Sequence, residues 1–162
     1  MKTIYLIRHA KSSWKNSDQT DFERPLNSRG KKDRITMGKR LKKENCSPQI
    51  FLSSAAKRTI ETSLVIAKEI DFEQNNIIFK QELYHASSQE IFRIINEQDN
   101  SFETLLLVGH NPGISDLSYY LSNIPHSFPT CGVAKITFET NNWQEVFGET
   151  GTLVFFDYPK NA

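Results

Sequence analysis

The sequence predicts an α/β fold, a three-layer α/β/α sandwich whose mainly parallel central sheet carries an antiparallel C-terminal strand. Short apolar runs alternate with helical segments through most of the chain, as in folds whose helices cover both faces of a parallel sheet. The run Thr104–Gly109 is the most continuously apolar, as expected of a central strand buried on both faces. Residues 132–139 and 151–158 instead alternate between two faces, which favours a closing antiparallel pair.

The remaining elements follow in order along the chain. The first strand is the apolar run 4–7, which has no 3.6-residue repeat. Ser87 and Glu90 form a capping-box pattern that marks the start of a helix. Further strands are predicted at residues 49–53 and 77–80, and further helices at residues 30–45, 58–70 and 114–121. With 162 residues in all, we expect one domain spanning residues 1–162.

Composition narrows the possible partners. The net charge is +1, with 38% hydrophobic and 24% charged residues, which is typical of a soluble globular protein without a nucleic acid or membrane partner. The basic helix at 30–45 is therefore interpreted as a solvated face. Cys46 and Cys131 lie too far apart to suggest a disulfide framework or a zinc knuckle. We expect a cytoplasmic location, since no apolar run resembles a signal peptide or a membrane span.

Polar side chains follow the predicted strands at the edge where α/β proteins bind ligands. Arg8 and His9 end the first strand, and His110 follows the strand Thr104–Gly109. Glu82 comes just after the third strand. Arg58 lies in the first turn of a helix, where the dipole disfavours a cation unless an anion is bound beside it. Taken singly, each could equally be an ordinary loop or surface residue, but together they predict an anion site.

The polar, irregular stretch 11–29 predicts a long loop directly after the first strand. A loop of this length in a compact domain is uncommon and usually functional. Ser12 and Lys15 could reach the same anion, and either could equally be a solvated loop residue. The loop is thus a candidate second source of substrate-binding groups.

This set of residues suits phosphoryl transfer, which needs positive charge around the phosphate, a nucleophile in line with the leaving group, and a proton donor. Arg8, Arg58 and His110 can supply the charge. His9 can attack, since a neutral imidazole is a nucleophile near neutral pH, and Glu82 can supply the proton. No metal or other cofactor is expected, because the four histidines show no metal-ligand spacing.

Four motifs stand in order along the chain: RHAKSSW at residues 8–14, RPLNSRG at 24–30, SSAAKRT at 53–59 and VGHNPG at 108–113. They resemble the signature of the histidine phosphatase superfamily (branch 1, phosphoglycerate mutase-like), and most closely its SixA-type phosphohistidine phosphatases. The resemblance implies His9 as the phosphorylated nucleophile. It also implies a phosphate pocket of Arg8, Arg58 and His110, with Glu82 as the acid.

Two positions depart from the wider superfamily: Ala10 replaces its usual glycine, and Lys15 stands where mutase-like members carry a phosphate-binding asparagine. The chain also lacks the insertions with which larger relatives cap small substrates. The resemblance therefore implies an open site that admits a phosphorylated protein. We expect the chain to be a monomer. A general phosphomonoesterase acting on a small phosphate ester, or a phosphate-binding module without turnover, are the alternatives.

Overall fold

The computed structural model describes residues 1–161 and contains a six-stranded sheet in the order β3-β2-β4-β1-β5-β6. The strands are β1 (Lys2–Arg8), β2 (Ile50–Ser54), β3 (Ile78–Lys80), β4 (Thr104–Gly109), β5 (Val133–Phe138) and β6 (Thr152–Asp157). The α-helices are α1 (Ser28–Lys43), α2 (Lys57–Glu69), α3 (Ser88–Asn96) and α4 (Gly113–Ser122). The predicted α/β class and the mainly parallel sheet are confirmed.

The direction of the last strands refines the prediction. Strands β1 to β4 are parallel to their neighbours in that group, whereas β5 is antiparallel to both β1 and β6. The strand that opposes the sheet is therefore β5, and β6 has turned back to the direction of β1. The expected closing antiparallel pair is β5 with β6.

Two apolar cores lie on opposite faces of the sheet, because successive side chains of a strand point to opposite sides. In β1, Ile4 and Leu6 pack into the core formed with α3 and α4. Tyr5 and Ile7 pack into the core formed with α1 and α2. Burial on both faces accounts for the continuous apolar sequence of the central strands.

Local hydrogen bonds fix where two helices begin. Helix α1 begins two residues before the predicted position, because the Asn27 side chain accepts a hydrogen bond from the Gly30 N–H at 2.8 Å and caps the first turn. The predicted capping box of Ser87 and Glu90 is confirmed at the start of α3.

Within residues 1–161, no helix is both long and apolar enough to cross a membrane.

Strand register brings three chain segments to one edge of the sheet. Arg8 pairs with Gly109, and Ser53 pairs with Val108. The next residue of each strand, His9, Ser54 or His110, therefore emerges at the same carboxyl edge.

Candidate functional site

A cleft of about 250 Å³ opens at this carboxyl edge. Five of the predicted site residues line it: Arg8, His9, Arg58, His110 and the loop residue Ser12. The first four come from three element ends: Arg8 and His9 from the end of β1, Arg58 from the start of α2, and His110 from the turn after β4. The cleft therefore combines two guanidinium groups and two imidazoles that are distant in sequence.

His9 is almost fully buried, with 7% of its surface exposed. Its Nδ1 lies 2.7 Å from the carbonyl oxygen of Ala10, so Nδ1 carries the proton and donates it there. Burial lowers the pKa of His9 to about 3, and the charges of Arg58 and Arg8 act in the same direction. The ring is therefore neutral near pH 7, and Nε2 holds a lone pair available for attack on phosphorus.

His110 lies beside His9, with their ring centroids 5.2 Å apart. Its Nε2 is 2.8 Å from the Ser54 Oγ, and that oxygen already accepts a hydrogen bond from the Ala56 N–H. The Ser54 hydroxyl has no other acceptor among residues 1–161, so we assign its proton to the hydrogen bond with Nε2 and the ring proton of His110 to Nδ1. Burial lowers the pKa of His110 to about 2, so the ring is neutral.

The Nδ1 atom of His110 is buried and has no hydrogen-bond partner among residues 1–161. A buried N–H without an acceptor costs about 1–3 kcal/mol. A phosphate oxygen in the cleft would remove that cost. His110 is therefore a neutral donor prepared for an anion.

The two arginines are held at their outer atoms. Arg8 donates from Nη1 to the Phe128 carbonyl oxygen at 2.9 Å. Arg58, with its side chain 4% exposed, donates from Nη1 to the Asp21 carbonyl oxygen at 2.7 Å and from Nη2 to the Asp21 carboxylate at 3.0 Å. Burial lowers the pKa of Arg8, and the nearby charge of Arg58 adds to the effect. Two positive groups in one small cleft favour a bound anion.

Asp21 is a site residue that sequence reasoning missed. Its Oδ2 accepts hydrogen bonds from the Tyr84 hydroxyl at 2.6 Å and from Arg58, and it lies 3.3 Å from the Nε2 of His85. Its Oδ1 accepts from the Arg24 Nε at 3.1 Å. Burial alone would raise the pKa of Asp21, but the Tyr84 and Arg24 hydrogen bonds and the Arg58 charge outweigh it and lower that pKa well below its usual range.

The loop also contributes Ser12, which is buried and lines the cleft. Its Oγ accepts a hydrogen bond from Arg24 Nη1 at 2.5 Å, and the Trp14 ring stacks on the Arg24 guanidinium at 3.5 Å. Ser12 thus lines the cleft together with Arg8, His9, Arg58 and His110, and its role in binding stays a prediction. Lys15 is not: it is exposed and lines a separate depression with Ser13 and other residues at the start of α1.

Glu82 is not among the residues that line the cleft. It lies in a short 3₁₀ helix, Gln81–Leu83, in which Leu83 is buried and Glu82 is exposed. The 3₁₀ turn that follows the strand buries Leu83, so Glu82 faces solvent instead of the cleft. Three residues after Glu82 the chain returns to the cleft with His85.

No group of three or more histidine, cysteine, aspartate or glutamate side chains within residues 1–161 is arranged to hold a metal ion. The positive groups that line the cleft are the guanidinium groups of Arg8, Arg24 and Arg58 and the ammonium group of Lys11. Charge neutralisation of a bound phosphate is therefore within the reach of protein groups alone.

The family model of the histidine phosphatase superfamily (branch 1) matches residues 4–84, half of the chain. The chain belongs to this superfamily. The matched region includes Arg8, His9 and Arg58, and His110 lies beyond it. This histidine phosphatase is accordingly a hydrolase acting on phosphoryl groups.

The relatives of this histidine phosphatase extend the likeness to the whole chain. The crystal structure of a protein assigned as phosphohistidine phosphatase SixA from Agrobacterium tumefaciens is 25% identical, with a TM-score of 0.83 over 98% of each chain. The structure of the protein histidine phosphatase SixA with tungstate is 21% identical, with a TM-score of 0.78 over 98% of each chain, and shows the same fold. An uncharacterised chloroplastic protein of Arabidopsis thaliana is 29% identical over 93% of this chain and 72% of its own length.

Proposed function

We propose that this histidine phosphatase is a SixA-type enzyme that removes phosphate from phosphohistidine in proteins, through a phosphohistidine intermediate on His9. The observation that carries the proposal is the state of His9. Its Nδ1 is engaged by the Ala10 carbonyl, which leaves a neutral ring with a free Nε2 in a cleft lined by Arg8 and Arg58. That combination matches the requirements of a nucleophile for phosphoryl transfer.

In the first half-reaction, the lone pair of His9 Nε2 attacks phosphorus and forms a P–N bond. The bond from phosphorus to the leaving group breaks, and its electron pair departs with that group, which takes up a proton. Arg8, Arg58 and the Nδ1–H of His110 stabilise the charge on the three remaining oxygens. The hydrogen bond from Nδ1 of His9 to Ala10 becomes stronger as the ring gains positive charge.

In the second half-reaction, water attacks the phosphorus of phospho-His9. The P–N bond breaks, its electron pair returns to Nε2, and inorganic phosphate leaves with the remaining oxygens. The water gives up a proton in this step. The same positive groups stabilise both transition states, because the phosphoryl group stays in one place while its partners change.

Exposed aromatic side chains at the mouth of the cleft support the proposal of a protein substrate. Trp14 is 72% exposed there, and the side chain of His85 is 60% exposed. Exposed aromatic groups at the rim can contact the surface around a phosphohistidine, and tryptophan is enriched at such contacts. The likeness to the Agrobacterium SixA protein, which is named for that activity, supports the same substrate class.

The test compares catalytic efficiency, kcat/KM, on a protein carrying phosphohistidine with that on alkyl and aryl phosphates. We expect the phosphohistidine protein to be the best substrate, because its imidazole leaving group has a conjugate-acid pKa of about 6.5 and needs little assistance. A higher kcat/KM on alkyl phosphates would instead identify a general phosphomonoesterase.

His9→Ala should abolish turnover of both substrate types, since no other group in the described cleft is placed to replace the nucleophile. His126→Gln is the matched control, because His126 lies outside the cleft and contacts Phe156 and Ser118. Substantial residual turnover in His9→Ala would remove His9 from the nucleophile role. Equal loss in His126→Gln would show that the effect is not specific to the site.

A further inference from the structure

We infer that His85 is the proton donor for the leaving group and that Asp21 positions it. This inference rests on the proposed function, since it assigns the proton that the first half-reaction requires. It is carried by the juxtaposition of an exposed imidazole and an ion-paired carboxylate at the mouth of the cleft.

The position of His85 suits a group that meets the outer part of the substrate. Its ring lies 5.9 Å from the His110 ring and 4.0 Å from the Tyr84 ring, so it borders the phosphate site. Its side chain is 60% exposed, whereas His9 and His110 are buried beneath. A leaving group directed away from His9 in line with the attack must depart towards the open side, where His85 lies.

The backbone turns at His85, where the chain reaches the cleft. Its φ is +56°, in the left-handed region, which histidine adopts more often than most residues other than glycine. Beyond the 3₁₀ turn that contains Glu82, the chain therefore returns to the cleft, which His85 lines and Glu82 does not.

Asp21 fixes which nitrogen of His85 is free. The Asp21 Oδ2 lies 3.3 Å from Nε2, an ion-pair distance, so the carboxylate favours a proton on Nε2, and we assign Nδ1 to the substrate. The same carboxylate accepts from Tyr84 and Arg58, which holds its position from two further elements. The arrangement resembles that of other catalytic imidazoles, in which a carboxylate orients the ring and stabilises its charged form.

The other acid or base groups of the cleft are unsuited to donating this proton. His9 and His110 are neutral, because burial lowers the pKa of each far below 7. Asp21 stays ionised, since its hydrogen bonds and the Arg58 charge hold its pKa low. Among the imidazole and carboxyl groups that line the cleft, His85 is left to act as the acid.

The proton transfer balances over the two half-reactions. As the bond to a leaving oxygen breaks, its electron pair takes the proton from Nδ1 of the His85 imidazolium, which releases an alcohol and leaves His85 neutral. In the second half-reaction, neutral His85 accepts at Nδ1 the proton that the attacking water gives up. The imidazolium is thereby restored when phosphate leaves.

The test measures kcat/KM for a series of phosphate esters whose leaving groups range from dinitrophenol to a simple alcohol. His85→Asn is the variant of choice, because asparagine accepts the left-handed backbone and cannot donate an acid proton. We expect a loss of about 100-fold or more on the alkyl phosphate, as for other general acids, and a loss of less than about 3-fold on dinitrophenyl phosphate. His85→Gln should repeat this pattern.

Glu82→Gln is the matched control, since Glu82 lies in the preceding turn and was the acid implied by the sequence. We expect less than about a 2-fold change on every ester, because the side chain is outside the cleft. A leaving-group-dependent loss in Glu82→Gln would assign the acid to Glu82 and overturn the inference. A uniform loss in His85→Asn across the series would also overturn it, since a positioning role does not depend on the leaving group.

Phosphate trapping separates this inference from the proposed function. Dinitrophenyl phosphate needs no proton donor, so both His85→Asn and the unmodified chain should acquire phosphate on His9 from it. If His9 is labelled but the leaving-group pattern is absent, only the role of His85 fails. If the unmodified chain acquires no label on His9, the proposed function itself fails, and with it the basis for the inference.

Discussion

Ser54→Ala tests whether the tautomer of His110 is set by a single hydroxyl. Ser54 is fully buried, and its Oγ lies 2.8 Å from Nε2 of His110. Removal of the hydroxyl leaves Nε2 without a partner, so the ring proton can move from Nδ1 to Nε2. In that form His110 no longer donates to a phosphate oxygen, and it offers a lone pair instead.

The expected loss of phosphate affinity in Ser54→Ala follows from the loss of one hydrogen bond. A buried neutral hydrogen bond contributes about 0.5–1.5 kcal/mol, and a polar atom left unsatisfied costs about 1–3 kcal/mol. We therefore expect a loss of about 1.4 kcal/mol in anion binding, which corresponds to about a tenfold weaker affinity for phosphate. The same factor should appear in kcat/KM, because the transition state carries the same oxygens.

The assay is competitive inhibition by inorganic phosphate or tungstate, measured together with kcat/KM on an aryl phosphate. Ser53→Ala is the matched control, since Ser53 is the adjacent serine and is equally buried. Its hydroxyl donates to the Ser54 carbonyl oxygen and accepts from Ser63, away from His110. Both variants lose buried hydrogen bonds, so their free energies of unfolding should fall by similar amounts.

Only Ser54→Ala should weaken phosphate binding. Nitrogen NMR of the His110 ring should show the proton on Nδ1 in the unmodified chain and a shift towards Nε2 in this variant. Unchanged inhibition by phosphate in Ser54→Ala would refute the reasoning. Equal weakening in Ser53→Ala would refute it too, because the effect would then come from packing rather than from the tautomer.

Two further predictions concern protonation and packing. His9 and His110 should show no titration by NMR between pH 5 and 8, because burial lowers the pKa of each from 6.5 to about 3 and about 2. The free energy of unfolding should consequently fall as the pH drops below about 6.5, because both imidazoles bind protons in the unfolded chain but not in the folded one. An NMR titration midpoint near 6.5 for either ring would contradict this prediction. Gly30→Ala should lower the free energy of unfolding by about 2 kcal/mol or more in chemical denaturation, because a Cβ at Gly30 would overlap the Lys11 carbonyl oxygen in tightly packed backbone. An unchanged denaturation midpoint would show that the loop can move away without cost.

The meeting of His9 and His110 could be predicted from the sequence. Each follows an apolar run, and parallel strands end at a common edge, so their convergence needs only the fold class. Arg58 could be predicted on similar grounds, since a cation in the first turn of a helix suggests a bound anion. The structure places all three in one cleft, and their chemical roles stay predictions.

Asp21 and His85 could not be placed from the sequence. Asp21 lies in an irregular loop with no periodicity, and its partners Arg58 and Tyr84 are 37 and 63 residues away. The one available signal is that Asp21 closely precedes the RPLNSRG motif, whose Arg24 it contacts. His85 reaches the cleft through a left-handed backbone conformation, which no periodic pattern in the sequence marks.

Glu82 lies three residues before His85 and does not line the cleft, whereas His85 does. The end of β3 lies close to the cleft along the chain, but the short helix Gln81–Leu83 rotates successive side chains differently from a strand. The exposed position of Glu82 follows from that turn. To predict which single residue after a strand faces the cleft therefore requires the geometry of the turn, and the sequence pattern does not supply that geometry.

The most direct test of the account is a single-turnover reaction with labelled phosphohistidine protein, quenched in alkali and mapped for phosphate. The account predicts label on His9 that is stable in alkali and lost in acid, and no label in His9→Ala. Label on another residue, or turnover without any covalent label in rapid-quench samples, would contradict the central claim that His9 is the nucleophile.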